Sequence, residues 1–262
     1  MLSGLALFFA AASVFADTPR TVFLEDLTWT ELQAKIRSGK TTIIVPIGAT
    51  EQNGPHMALG KHNVRARVLS EKIAAALGDA LVAPVIAYAP EGSLDPPAGH
   101  MRFPGTITIP NETFRKVLEY AARSFKLHGF RDIVFLGDHG GYQADEQSVA
   151  EKLNREWATT SVRVHAAEDY YRVSQTLFVQ ALKARGYRDE EIGAHAGLAD
   201  TSLMLALDPR LVRMDALRTD VKPGVGDGVH GDPRRSSAEL GQLGVDAIVA
   251  RTAEAIRSST RR

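Results

Sequence analysis

Short runs rich in valine and isoleucine punctuate the chain at residues 41–47, 81–88, 132–136 and 162–166. They show little alternation of apolar and polar positions, which predicts strands covered on both faces, as in a parallel sheet. Between them the period changes to that of a helix. Leu69, Ile73, Ala76 and Leu77 form one apolar stripe. Phe114, Val117, Leu118, Ala121 and Phe125 form another, on a helix that Asn111 can cap. Further helices are predicted from about 143 to 156 and from about 237 to 258. Strand–helix alternation of this kind predicts an α/β domain, a three-layer α/β/α sandwich around a mostly parallel sheet. Two long segments rich in glycine and proline, 89–104 and 222–235, are expected to be loops.

The first residues read differently. An apolar run at 5–14 is followed by Val14-Phe15-Ala16 and then by the polar Asp17-Thr18-Pro19. The run is too short to span a bilayer, and small residues stand where a signal peptidase cuts. Residues 1–16 are therefore expected to be a signal peptide and 17–262 the domain, exported to the periplasm, although no Lys or Arg precedes the run. No membrane span is expected once the signal is removed. Lys+Arg and Asp+Glu both number 31, so no global basic field calls for nucleic acid. The absence of cysteine excludes disulfides, thiolate zinc sites and cysteine nucleophiles.

In an open parallel sheet, ligands bind at the carboxyl ends of the strands. Two polar, glycine-containing segments stand at such ends. One runs from Gly48 through Glu51, Asn53 and His56 to His62; the other is Gly137-Asp138-His139-Gly140-Gly141. Glu51, His62 and His139 make a set of three protein ligands, the pattern of a catalytic zinc site that keeps one position for water. Histidine beside glycine after a strand is also an ordinary turn residue. His56 and His100 can orient a substrate or be structural. His128, at a helix end, and His165, in a strand, are read as structural, and His230 lies in a loop.

Several blocks resemble the creatininase family of amidohydrolases. Val45-Pro46-Ile47-Gly48 through Glu51-Gln52-x-Gly54-Pro55-His56 is similar to its first signature. Phe103-Pro104-Gly105-Thr106-Ile107, His139-Gly140-Gly141, His195-Ala196-Gly197 with Thr201-Ser202-Leu203-Met204-Leu205, and Gly231-Asp232-Pro233 with Ala238-Glu239-x-Gly241 follow in family order. The resemblance implies two adjacent metals: one held by a Glu, a bridging Asp and a His, the other by a His, the same Asp and a second Glu. By position the first set falls on Glu51, His62 and His139, and the second on Asn53, His62 and Gly141.

The departures matter. A carboxylate bridges two cations through its two oxygens, whereas a neutral imidazole has one lone pair to give. Asn53 is a poor zinc ligand and Gly141 has no side chain. The expectation is one divalent metal, zinc with manganese as the alternative, on Glu51, His62 and His139. Its water, ionised near neutral pH, would attack a cyclic or linear amide. His195 matches the family's proton-transfer histidine and is the expected general acid, with Ala194 in place of an acidic neighbour. Asp200 is a helix cap or an acceptor for a ligand imidazole, and Asp138 is expected beside the site. The alternatives are a non-catalytic relic that binds a small molecule, or a lactone or ester hydrolase. Trp29 and Trp157 lie far from these motifs, whereas creatininases use a tryptophan-lined pocket, so creatinine itself is not the expected substrate. The resemblance further implies a homo-oligomer, commonly a hexamer.

Overall fold

The computed structural model describes residues 20–217 and 221–261, so the expected signal peptide lies outside the described residues. Four parallel strands, β1 (Thr42–Ile47), β2 (Ala80–Val82), β3 (Asp132–Gly137) and β4 (Arg163–Ala166), form one sheet in the order β2-β1-β3-β4. Three expected strands stand within a residue or so of their predicted bounds. The second is shorter than the apolar run 81–88: only 80–82 pair continuously with β1, and beyond Pro84 a single bridge from Ile86 to Ile47 survives. Proline supplies no N–H for a ladder, which is the local reason.

Side chains alternate across the sheet and feed two cores. Ile44, Val134 and Leu136 pack beneath α2 (Lys61–Leu77), α5 (Glu168–Gln175), α6 (Leu177–Lys183), α8 (Leu198–Leu207) and α9 (Ala238–Thr260). Ile43, Val45, Ile133 and Phe135 pack on the other face beneath α1 (Trp29–Arg37), α3 (Asn111–Leu127) and α4 (Gln143–Glu156). A short α7 (Asp189–Ile192) leads toward α8. These are the expected three layers. Ser237 caps α9, its hydroxyl accepting from the Leu240 N–H at 3.2 Å. Asn111 does not cap α3: it is the first helical residue, and its amide donates to Asp145 at 2.6 Å. The buried stripe of α3 is Phe114, Leu118, Glu119 and Ala122, leaving Val117 exposed.

From β1 the chain leads to β2 on one side, and β3 then joins on the other. The crevice between the carboxyl ends of β1 and β3 is therefore a topological switch point, where such sheets bind ligands. Tyr142, fully buried, ties those ends together: its hydroxyl donates to the Gly48 carbonyl at 2.7 Å and accepts from the Asp138 N–H at 3.1 Å. Gly48 lets α2 approach, since a Cβ there would meet Asn63 Oδ1 at 2.1 Å. Asn63 in turn accepts from the Ala49 N–H at 3.1 Å, fixing the turn that carries Glu51.

Candidate metal centre

Glu51 stands at the centre of the crevice with its side chain fully buried. Its two oxygens face different neighbours. On one side, Oε1 lies 2.6 Å from His62 Nε2 and 3.8 Å from His195 Nδ1. On the other, Oε2 lies 3.2 Å from His100 Nε2 and 3.9 Å from His139 Nε2, and has no hydrogen-bond donor. Beside it is Glu91, whose side chain is also fully buried and whose oxygens both lack a donor. Glu91 Oε1 lies 3.8 Å from His139 Nδ1. Ligating atoms of Glu51, Glu91, His100 and His139 all fall within 4.8 Å of one another.

Two neighbouring buried carboxylates whose facing oxygens lack donors repel unless a proton or a cation lies between them. Burial, and then Glu51, push Glu91 up to about 9. Burial would raise Glu51 as well, but His62, Lys61 and His139 together outweigh it and hold that carboxyl well below the ordinary range. Burial pulls His139 down to about 4 and lowers His100, so both imidazoles are neutral at pH 7 and suited to a cation. The donor set, two carboxylates and two imidazoles with orphaned buried oxygens, fits a divalent metal such as zinc or manganese.

Of the expected ligands, Glu51 and His139 belong to this group and His62 does not. His62 bridges Glu51 and Asp138, with its Nδ1 2.6 Å from Asp138 Oδ2. Asp138 accepts from Arg65 Nε at 2.7 Å and from the Tyr170 hydroxyl at 2.5 Å, so it is saturated and serves to hold His62. Asp200 neither caps α8 nor receives a ligand imidazole. It accepts from Arg65 at 2.7 Å, from the fully buried Lys61 at 3.2 Å, and from the Ala196 N–H at 3.0 Å. That last bond fixes Ala196 in the left-handed region, φ 53°, and so aims His195 into the crevice. His56 is walled off behind the site, 2.9 Å from the Thr201 hydroxyl. His165 bonds Asp132 at 2.9 Å and His128 ends α3, as structural residues do. His230 pairs its backbone with His195.

His195 is held by Gln52. Its Nε2 lies 3.0 Å from the Gln52 carbonyl, which accepts, and 3.1 Å from the Gln52 side-chain amide nitrogen, which donates, while Nδ1 lies 3.8 Å from Glu51 Oε1. Burial, and then Lys61, depress it to about 3, so it is neutral at pH 7.

Sequence reasoning missed Glu91, Lys61, Arg65 and Gln52. Glu91 arrives from the glycine- and proline-rich loop, stitched down by Thr108, whose hydroxyl accepts from the Glu91 N–H at 3.0 Å. Thr106 does the same for the Gln52 N–H at 3.2 Å, and the Gln52 amide touches His100 Nδ1 at 3.0 Å. The available signal was a lone carboxylate between Pro90 and Gly92 in a loop following a strand.

A family model described as creatinine amidohydrolase matches residues 25–256. The creatinine amidohydrolase of Pseudomonas putida is 27% identical over 261 residues, covering 91% of this chain and 97% of that protein. A mycofactocin precursor peptide peptidase of Mycolicibacterium smegmatis is 28% identical over 198 residues, covering 72% of this chain and 66% of that one. Among solved structures, a creatininase of the Zn–Zn type superposes with a TM-score of 0.74 at 27% identity, over 93% of this chain and all (100%) of the other.

Proposed function

The chain belongs to the creatininase family of metal-dependent amide hydrolases, and from that premise we propose that it cleaves a cyclic or linear amide C–N bond at a single divalent cation seated on Glu51 and His139. The observation that carries this reading is the set of buried carboxylate oxygens without donors, Glu51 Oε2 and both oxygens of Glu91, flanked by neutral imidazoles at the switch point of the sheet. When bound, a divalent cation supplies Lewis acidity, lowering the pKa of a water and polarising a carbonyl.

The chain's own residues supply the rest. His62, clamped between Asp138 and Glu51, fixes the Glu51 carboxylate in place. His195 enters neutral, so it can donate only a proton it has first received. It takes that proton from the attacking water and delivers it to the leaving nitrogen. Arg65 and Lys61 balance Asp138 and Asp200 beneath the site. Zinc is the proposed metal, by analogy with the Zn–Zn relative.

Two further readings accompany it. Export is proposed from the apolar run 5–14 and its small-residue end. Homo-oligomerisation is proposed from the exposed apolar side chains Trp29, Tyr120 and Leu127 on and beside α3.

The function is tested by metal analysis of protein purified without chelator, alongside a panel of lactams, hydantoins, linear amides and lactones. The expected result is about one metal per chain and C–N hydrolysis that chelator abolishes and zinc or manganese restores. Protein that is isolated metal-free and fails to take up either ion overturns the reading.

A further inference from the structure

We propose that Glu91 and His100, both from the 89–104 loop, are metal ligands, and that they take over the donor roles lost at positions 53, 62 and 141. This rests on the reading of the crevice as a metal centre and deepens it. The creatininase pattern carries its second carboxylate on the residue that is Gly141 here. A Cβ built on Gly141 would lie 3.0 Å from His139 Nδ1 and 3.9 Å from the Pro90 carbonyl oxygen. A carboxylate does stand in that neighbourhood, but it comes from the residue after Pro90: Glu91 Oε1 is 3.8 Å from the same His139 nitrogen.

Glu91 is not an ordinary buried acid. Its side chain is fully buried and neither oxygen meets a donor, although a buried carboxylate normally recruits several. The loop nonetheless holds it there through the Thr108 bond to its N–H. His100, from the same loop, brings Nε2 to 3.2 Å from Glu51 Oε2, the oxygen that also lacks a donor.

His62 stands where the pattern has its bridging Asp, and it is committed elsewhere. Both of its ring nitrogens lie 2.6 Å from carboxylate oxygens, those of Glu51 and Asp138. It therefore acts as a positioning residue that turns Glu51 Oε2 toward Glu91, His100 and His139. One cation then has two carboxylate oxygens and two imidazole nitrogens within reach of a single point, without a bridging ligand.

The test measures zinc affinity by competition with a chromophoric chelator, and the absorption of the cobalt(II)-substituted protein, for the parent and for Glu91→Gln, His100→Asn, His62→Gln and the distant His128→Asn. Glu91→Gln and His100→Asn should each weaken zinc binding by about 100-fold or more and alter the cobalt spectrum. His62→Gln should cost about tenfold with the spectrum retained, and His128→Asn nothing. A parent that binds zinc tightly while Glu91→Gln and His100→Asn bind within about threefold of it overturns this inference and leaves the proposed function standing. So does His62→Gln losing the metal outright while those two keep it. A parent that binds no zinc or cobalt overturns the proposed function and this inference together.

Discussion

Replacing Glu91 with Gln should make the metal-stripped protein more stable, by an amount that grows with pH. In the folded protein Glu91 holds its proton up to about pH 9, against an ordinary value of 4.5. Between those two values the unfolded chain releases a proton that the native state keeps. The unfolded state therefore binds fewer protons, and stability falls as pH rises. The contribution is intact below pH 4.5 and is lost progressively toward pH 9. Each pH unit in that window is worth about 1.4 kcal/mol. From pH 5.5 to 7.5 the parent should thus lose about 2.7 kcal/mol through this one group, while Gln loses none. The assay is urea denaturation with excess EDTA at several pH values, comparing the two proteins so that every other titrating group cancels. Their stability difference should widen by about 2.7 kcal/mol across the window, equivalent to roughly 5–11 °C in melting temperature for a domain of this size. Saturating zinc should reverse the order, because only the parent carboxylate gains the cation. A gap that stays constant within about 0.5 kcal/mol from pH 5.5 to 7.5 refutes the reasoning. It would mean that Glu91 ionises freely in the folded protein.

His195→Ala should lower turnover by about 10²–10⁴-fold with zinc content unchanged, as single-turnover kinetics and metal analysis would show; loss of metal would make His195 a ligand. Arg65→Met should destabilise the fold by about 3–5 kcal/mol, read by calorimetry, because it leaves the buried Asp138 and the partly buried Asp200 without their shared partner. Gly193→Ala should be far more harmful than Gly141→Ala in thermal melts. At Gly193 φ is +69° and a Cβ would lie 2.0 Å from the His230 carbonyl, whereas at Gly141 the nearest atoms are 3.0 Å away in the His139 ring. Mass spectrometry of protein from its native host should find a mature chain beginning near Asp17, and one still starting at Met1 would rule out export.

The layers of this fold were legible in the sequence because they rest on local signals. Valine- and isoleucine-rich runs gave strands β1, β3 and β4, helical periodicity gave α2, α3, α4 and α9, and short-range spacing put Glu51 and His139 at strand ends. Where a single residue intervened, the pattern misled: Pro84 shortened β2, and Asn111 bonded Asp145 instead of capping its own helix. The site was only half visible, for a different reason. Glu51 and His139 are fixed by the strands they follow, but which groups surround them depends on how a loop some forty residues further on is folded back over the crevice. Glu91 and His100 carry no periodic signal, and the hydrogen bonds that place Glu91 and Gln52 come from Thr108 and Thr106, which look like unremarkable strand-type residues in the chain. His62 illustrates the converse. Its spacing from Glu51 suggests a ligand, and only the tertiary structure brings Asp138, the residue after β3, to its second nitrogen. An imidazole or carboxylate read from sequence is a set of free valences. Which partners fill them is settled by the packing of distant elements, where burial makes every unmet hydrogen bond expensive.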